Sequence, residues 1–155
     1  MNYPQYQDDL NKLLESEIFG ETVFLTAAKH EKSEEHKQKW LALAALETQT
    51  LERFRTFLKQ NNLKAISRLH IKTQGSATGF ALAKMPWKLA MFLLKDGTQP
   101  FMQAFERLCK HADQDTQMFF EYVLNHEKSI YEFADKELKK QKTTSLDLVY
   151  QLLAS

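Results

Sequence analysis

Glycine and proline are scarce in this chain, with four glycines and three prolines among 155 residues. Sandwiches and barrels need many Gly-rich or Pro-rich turns, whereas a helical bundle needs only a few breaks. Apolar residues also recur at steps of three, four and seven over long stretches, which is the spacing of one helical face. Because 43% hydrophobic and 26% charged residues are ordinary globular values, we expect a single all-α domain over residues 1–155.

The apolar stripes and the breaks between them predict two helical hairpins joined by one long connection. Ser33, followed by two glutamates, is a plausible N-cap that separates the first two helices by a short turn. Pro86, Gly97 and Pro100 predict a broken third helix. The predicted segments are a first helix at about 8–28, a second at 33–60, a connection at 61–80 that could include a short turn of helix, a last piece of the third helix at 100–111, a fourth helix from 113 or 115 to 140, and a short C-terminal helix at 145–153.

Charge and cysteine content exclude several classes of partner. The 21 basic and 20 acidic side chains give a formal net charge of +1, which argues against nucleic acid and anionic membranes as partners.

Lys84, Pro86 and Lys88 interrupt the most apolar stretch, so no membrane span is predicted. The N-terminal residues do not resemble a signal peptide, and we expect a cytoplasmic location. Cys109, as the single cysteine, provides neither an internal disulfide nor a zinc site of several thiolates.

Two glutamates occupy the centres of apolar stripes. Glu47 has Leu43 and Leu51 four residues to either side, and Glu127 follows Val123 at the same spacing. An unpaired buried carboxylate costs several kcal/mol, so such groups are normally paired, protonated or bound to metal. Both positions are therefore candidate site residues.

The first helix brings two more acids to the same level. An antiparallel pairing about a turn near residues 31–32 places Glu17 opposite Glu47, with Glu21 one helical turn farther along. His126 adds an imidazole beside Glu127. Three helices thus direct potential ligands towards one level of the core.

A purely structural role for these residues is the competing interpretation. Glu47 and Glu127 could be core acids held by Tyr or Lys side chains, or Glu47 could be a neutral carboxyl bonded to Thr50. One of Glu17 and Glu21 would then be solvated at the rim, and His126 would be a core histidine with satisfied hydrogen bonds.

The stretches LESEIFGE, LALAALETQTLERF and FFEYVLNHEKSIYEFADKEL resemble the first, second and fourth helices of the ferritin-like superfamily, especially its rubrerythrin-like members. That resemblance implies a four-helix bundle with one long crossover, in which one Glu on each of two helices and a Glu-x-x-His on each of the other two bind a pair of iron or manganese ions. Carried over, Glu17 or Glu21 and Glu47 match glutamate positions. Thr50 and Ile130 stand where the two histidines belong, and the third helix offers only Gln99, Gln103 and Glu106.

Two functional hypotheses follow from this reduced ligand set. In the first, Glu17, Glu21, Glu47, His126 and Glu127 bind iron or manganese, with zinc as a possible substitute. The resemblance then implies an oxidoreductase acting on oxygen or peroxide, or a metal-handling protein. A homodimer is expected from MPWKLAMFLL, whose apolar residues cover more than one side of a helix, although core packing explains that segment equally well. In the second, the bundle is metal-free and serves as an interaction or structural module, with the connection and the broken third helix as its contact surface.

Overall fold

The computed structural model describes residues 3–155, and in this range the chain is all-helical, with no strand. None of the described helices combines the length and apolar character needed to cross a membrane. Six helices follow one another along the chain: α1 (Tyr6–His30), α2 (Glu34–Gln60), α3 (Ile71–Lys84), α4 (Trp87–Lys110), α5 (Gln117–Leu138) and α6 (Asp147–Leu153).

Helices α1 and α2 form the first antiparallel hairpin. The Ser33 hydroxyl accepts a hydrogen bond from the backbone N–H of His36, which confirms Ser33 as the N-cap of α2. Phe24 stacks on Trp40 close to the turn, at 5.9 Å between ring centroids. Helix α2 ends at a tight turn in which Asn62 has φ 52°, a left-handed conformation that asparagine tolerates.

Helices α4 and α5 form the second hairpin. Near one end the Lys95 ammonium lies 2.8 Å from the Asp135 carboxylate, and Phe105 and Phe120 pack together at the other. The Asp113 carboxylate accepts hydrogen bonds from the Thr116 hydroxyl and from the backbone N–H groups of Thr116 and Asp115. These bonds, with the hydroxyl bond as the largest cause, lower the pKa of Asp113. Helix α6 then packs against α2 and α5 and buries Val149.

The connection between the hairpins runs along α1 and contains a helix of 14 residues, where the sequence pattern predicts no more than a short turn of helix. The predicted connection at 61–80 includes most of α3, which packs closely on α1. At Gly75 a Cβ would lie 2.9 Å from the Thr22 Cβ, and at Gly79 it would collide with the Val23 carbonyl oxygen. The buried face of α3 is thus built partly from glycine, so it lacks a stripe of large apolar residues.

The prediction of a broken third helix is correct at Pro86 and wrong farther on. Met85 is extended, as expected before a proline, and α4 begins directly after Pro86. Helix α4 then continues through Gly97 and Pro100 to Lys110. Pro100 has no backbone N–H, so the carbonyl of Asp96, four residues earlier, has no hydrogen-bond donor within the helix. Both residues are exposed, so water can hydrate this carbonyl.

Two large apolar clusters fill the bundle at different heights, and Ile18, Leu51 and Ile71 form a third, smaller one. The cluster nearer the α1–α2 turn includes Trp40, Met91 and Phe133. The cluster at the opposite end includes Leu10 and Phe54. The level between them, near residues 16–20 of α1, 47–50 of α2 and 126–127 of α5, contains most of the buried polar side chains of these three helices.

Candidate metal centre

Three side chains from three helices meet at the polar level between the two apolar clusters. Helix α1 contributes Glu17, α2 contributes Glu47 and α5 contributes His126. Glu17 and His126 have no exposed surface, and Glu47 is 3% exposed. Glu17 and Glu47 meet at this level, as expected if the short α1–α2 turn fixes the register of the first hairpin.

The imidazole of His126 lies between the two carboxylates. Its Nδ1 is 3.3 Å from Glu17 Oε1, and its Nε2 is 3.4 Å from Glu47 Oε2. One ligand atom from each of the three residues lies within 4.8 Å of the others. Zinc, for example, lies at about 2.1 Å from its nitrogen and oxygen ligands, which allows two ligand atoms of one ion to be at most about 4.2 Å apart. Shifts of less than about 1 Å would therefore bring these atoms into a coordination sphere.

The potential metal-ligand atoms of this group are buried and make no hydrogen bonds of good geometry. Glu17 Oε1 and Oε2, Glu47 Oε2 and both ring nitrogens of His126 have no hydrogen-bond partner among residues 3–155. A buried polar atom without a partner costs about 1–3 kcal/mol, and more if it is charged. A cation held by one carboxylate oxygen from each glutamate and by one ring nitrogen would give a partner to three of these atoms at once.

Burial and mutual contact shift the pKa values of these residues. For His126, burial alone would lower the pKa, but the carboxylates of Glu17 and Glu47 on either side raise it well above 6.5. Burial, followed by the adjacent Glu17 carboxylate, raises the pKa of Glu47 well above 4.5 against the opposing effect of His126. Shifts that arise from burial together with charged neighbours in one group are typical of functional sites.

Glu127 lies beside the group and faces a cavity. It is 6% exposed, and it lines this cavity together with Glu47. Burial raises the pKa of Glu127 to about 8, while the positive charge of His126 opposes the shift and Glu17 adds to it. Sequence reasoning placed Glu127 rather than His126 at the centre of the site, and the structure reverses that order.

Glu21 does not join the group. It is half-buried and accepts a 2.6 Å hydrogen bond from the Thr48 hydroxyl. Thr50 hydrogen-bonds to the Tyr122 hydroxyl at 2.9 Å, so the alternative in which Thr50 holds Glu47 is wrong. Of the two acids offered by α1, Glu17 is the one that reaches Glu47.

Gly20 is a contributor that sequence reasoning missed. A Cβ at this position would lie 2.5 Å from Glu47 Oε1, so the glycine leaves the room that the Glu47 carboxyl occupies. The available signal was its position three residues after Glu17, on the same face of α1.

The ligand set is smaller than the resemblance implies. At the level of Glu127, helix α4 presents Gly97 and Thr98 to the cavity and no carboxylate. Within residues 3–155, Glu17, Glu47 and His126 form the one group of three or more metal-ligating side chains. Two carboxylates and one imidazole fit a single ion and are too few for a two-metal site.

Comparisons of this chain with family models, with curated proteins and with solved structures find no match.

Proposed function

We propose that this protein is a ferritin-like bundle that binds one iron or manganese ion through Glu17, Glu47 and His126. The observation that carries the proposal is that one buried ligand atom from each of these three side chains lies within 4.8 Å of the others, without hydrogen bonds of good geometry between them. Carboxylate oxygens and an imidazole nitrogen suit iron and manganese, with zinc as a substitute. Glu127, which reaches the same level from α5, is the nearest further acid.

The helix order supports the ferritin-like assignment. Two antiparallel hairpins are joined by a connection that runs the length of α1, so α4 starts near the α1–α2 turn and ends beside the start of α1. This placement is visible in the 2.8 Å contact between Arg107 and Asp9. One long crossover distinguishes this arrangement from an up-down bundle.

The chain itself would provide binding, orientation and control of charge. A bound iron or manganese ion would supply redox chemistry with oxygen or peroxide. Glu17 and Glu47 would neutralise the charge of the ion, and His126 would bind it as a neutral imidazole. Glu127, with its raised pKa, would hold a proton at the edge of the cavity near neutral pH.

Metal content is the direct test. Protein purified without a metal-chelating tag and loaded anaerobically with Fe²⁺ or Mn²⁺ should retain about one ion per chain, measured by mass spectrometry and by its optical spectrum. Glu47→Gln should lose that ion. Glu21→Gln, which changes an acid one turn from Glu17 and outside the group, is the matched control and should retain it. A parent protein that stays empty after loading with each metal would refute the proposal.

Thermal unfolding gives a second measurement of the same site. An ion at one hundred times its dissociation constant stabilises the folded chain by about 2.7 kcal/mol. For a chain of this size each kcal/mol raises Tm by about 2–4 °C, so metal should raise the parent Tm by roughly 5–11 °C. The same addition should leave the Tm of His126→Gln unchanged.

Association through α4 is the second candidate function. Leu89 and Phe92 are three residues apart on this helix and are 46% and 57% exposed, a pattern that favours a contact with a second copy of the chain. Sedimentation velocity should then give a dimer for the parent and a monomer for Phe92→Lys. A metal-free parent that dimerises in this way would favour the interaction module over the metal-binding protein.

A further inference from the structure

A cavity of about 490 Å³ extends from the candidate metal centre towards the surface between α3 and α4. Its deep end is formed by the carboxyl groups of Glu47 and Glu127, and its walls include Phe24, Leu82 and Ile130. This volume lies within the range of pockets that enclose a small molecule, about 300–1,000 Å³. Apolar walls that converge on a few polar groups are the usual design of such pockets.

Small residues form much of the mouth of the cavity. Ala77 and Ala81 of α3 line one side, Leu93 and Gly97 of α4 line the other, and all four are exposed. The cavity is therefore open to solvent at this end and closed by carboxyl groups at the other.

Gly97 indicates that this opening has a function and is not a chance gap between the helices. Glycine destabilises a helix interior relative to alanine, and the other three glycines are explained by atoms that a Cβ would strike. At Gly97 a Cβ would meet no atom within 4 Å. Neither packing nor backbone conformation requires glycine here, since its φ is not positive. The absence of a side chain at Gly97 widens the mouth of the cavity.

The lining restricts the chemistry of an occupant. Among the described residues no lysine or arginine lines the cavity, so an anionic group would lose its hydration between apolar walls without a lysine or arginine in the lining to pair with. A hydroxyl or amine, in contrast, can donate a hydrogen bond to a carboxyl oxygen. The remaining length of the occupant would contact apolar walls.

We propose that this cavity binds a mainly apolar small molecule that enters between α3 and α4 and directs a hydrogen-bond-donating end at Glu47 and Glu127. Binding uses the walls and the two carboxyls and does not require a metal ion. It can therefore be tested on the metal-free chain, and its failure would leave the metal proposal untouched.

The probe is N-phenyl-1-naphthylamine, a neutral apolar fluorophore, added to the chain in EDTA and displaced by 1-decanol. We expect saturable binding of about one probe per chain. Gly97→Leu, which places a side chain in the mouth from α4, should weaken binding at least tenfold, and Ala81→Leu should do the same from α3. Asp96→Leu is the matched control, because it adds the same side chain at an exposed neighbour that does not line the cavity, and its affinity should stay within twofold of the parent.

Decanoate tests the polar end. It has the chain length of 1-decanol but an anionic group, and it should compete at least tenfold more weakly at pH 7. Absence of saturable probe binding, or equal binding by the parent, Gly97→Leu and Ala81→Leu, would overturn the binding site. Equal competition by decanoate and 1-decanol would overturn the assignment of a donor end facing the carboxyls.

Discussion

Replacing Glu127 with glutamine should stabilise the metal-free protein in a pH-dependent way. Burial raises the pKa of Glu127 from an ordinary 4.5 to about 8, so the folded chain favours the neutral carboxyl. Between these two values the unfolded chain ionises at Glu127 while the folded chain does not. The stability that the neutral group provides is complete below about pH 4.5 and is lost as the pH rises through 8.

The magnitude follows from the two pKa values. At 1.36 kcal/mol per pH unit, the interval between 4.5 and about 8 corresponds to about 5 kcal/mol in total. About 4 kcal/mol of this total is lost between pH 4.5 and pH 8, because Glu127 is half ionised in the unfolded chain at the lower limit and half ionised in the folded chain at the upper limit. Glu127→Gln removes this loss while keeping the size and shape of the side chain. The free energy of unfolding of the variant, relative to the parent, should therefore rise by about 4 kcal/mol over this interval.

Urea unfolding followed by circular dichroism, in EDTA at pH 4.5 and pH 8, measures the difference. Glu121→Gln is the matched control on the same helix, because Glu121 is exposed and its carboxylate accepts a hydrogen bond from the Gln117 amide at the surface. It should change stability by no more than about 0.5 kcal/mol at either pH. A Glu127→Gln effect that is the same at pH 4.5 and pH 8, or a variant less stable than the parent at pH 8, would refute the reasoning.

Three further substitutions test the site and the core. Glu47→Gln should be neutral or stabilising in EDTA, because it removes a carboxylate that is costly to bury. It should lower Tm relative to the parent only when metal is present. Calorimetry with and without Mn²⁺ measures both effects. Gly20→Ala should weaken metal affinity more than fold stability, because its Cβ would displace the mobile end of Glu47 and leave the helix intact; titration calorimetry beside urea unfolding separates the two. Arg107→Leu should destabilise the chain by about 2–3 kcal/mol in urea unfolding, since fully buried Asp9 would keep only the Tyr3 hydroxyl as a donor.

The alignment of Glu17 with Glu47 could be predicted because a short turn fixes the register of an antiparallel hairpin. The choice between His126 and Glu127 could not. Adjacent residues point about 100° apart on a helix, so only one of them can face the centre of the bundle. Both have apolar neighbours at helical spacing, and the rotation of α5 depends on how Phe120 and Phe133 pack against the other helices.

The missed helix α3 and the unbroken α4 have related physical causes. Sequence periodicity depends on large apolar side chains, but α3 approaches α1 through Gly75 and Gly79. In α4, Gly97 and Pro100 are poor helix formers, yet the helix continues because its flanking turns are packed in the core at Met91 and Phe105. Tertiary packing overrides local propensity in both cases.

Departures from the rules of a stable helical bundle concentrate near the candidate centre. Gly75 and Gly79 have a packing explanation, because α1 lies against them. Gly20 leaves the space that the Glu47 carboxyl occupies, whereas no atom of the described residues lies within 4 Å of a Cβ placed at Gly97. The buried Glu47 faces a buried imidazole without a hydrogen bond of good geometry, although apolar residues of similar volume there would be neutral or stabilising. Local choices that lower stability without improving packing are expected at functional sites. Their occurrence on α1, α2, α4 and α5 around one cavity favours a shared function over four independent defects.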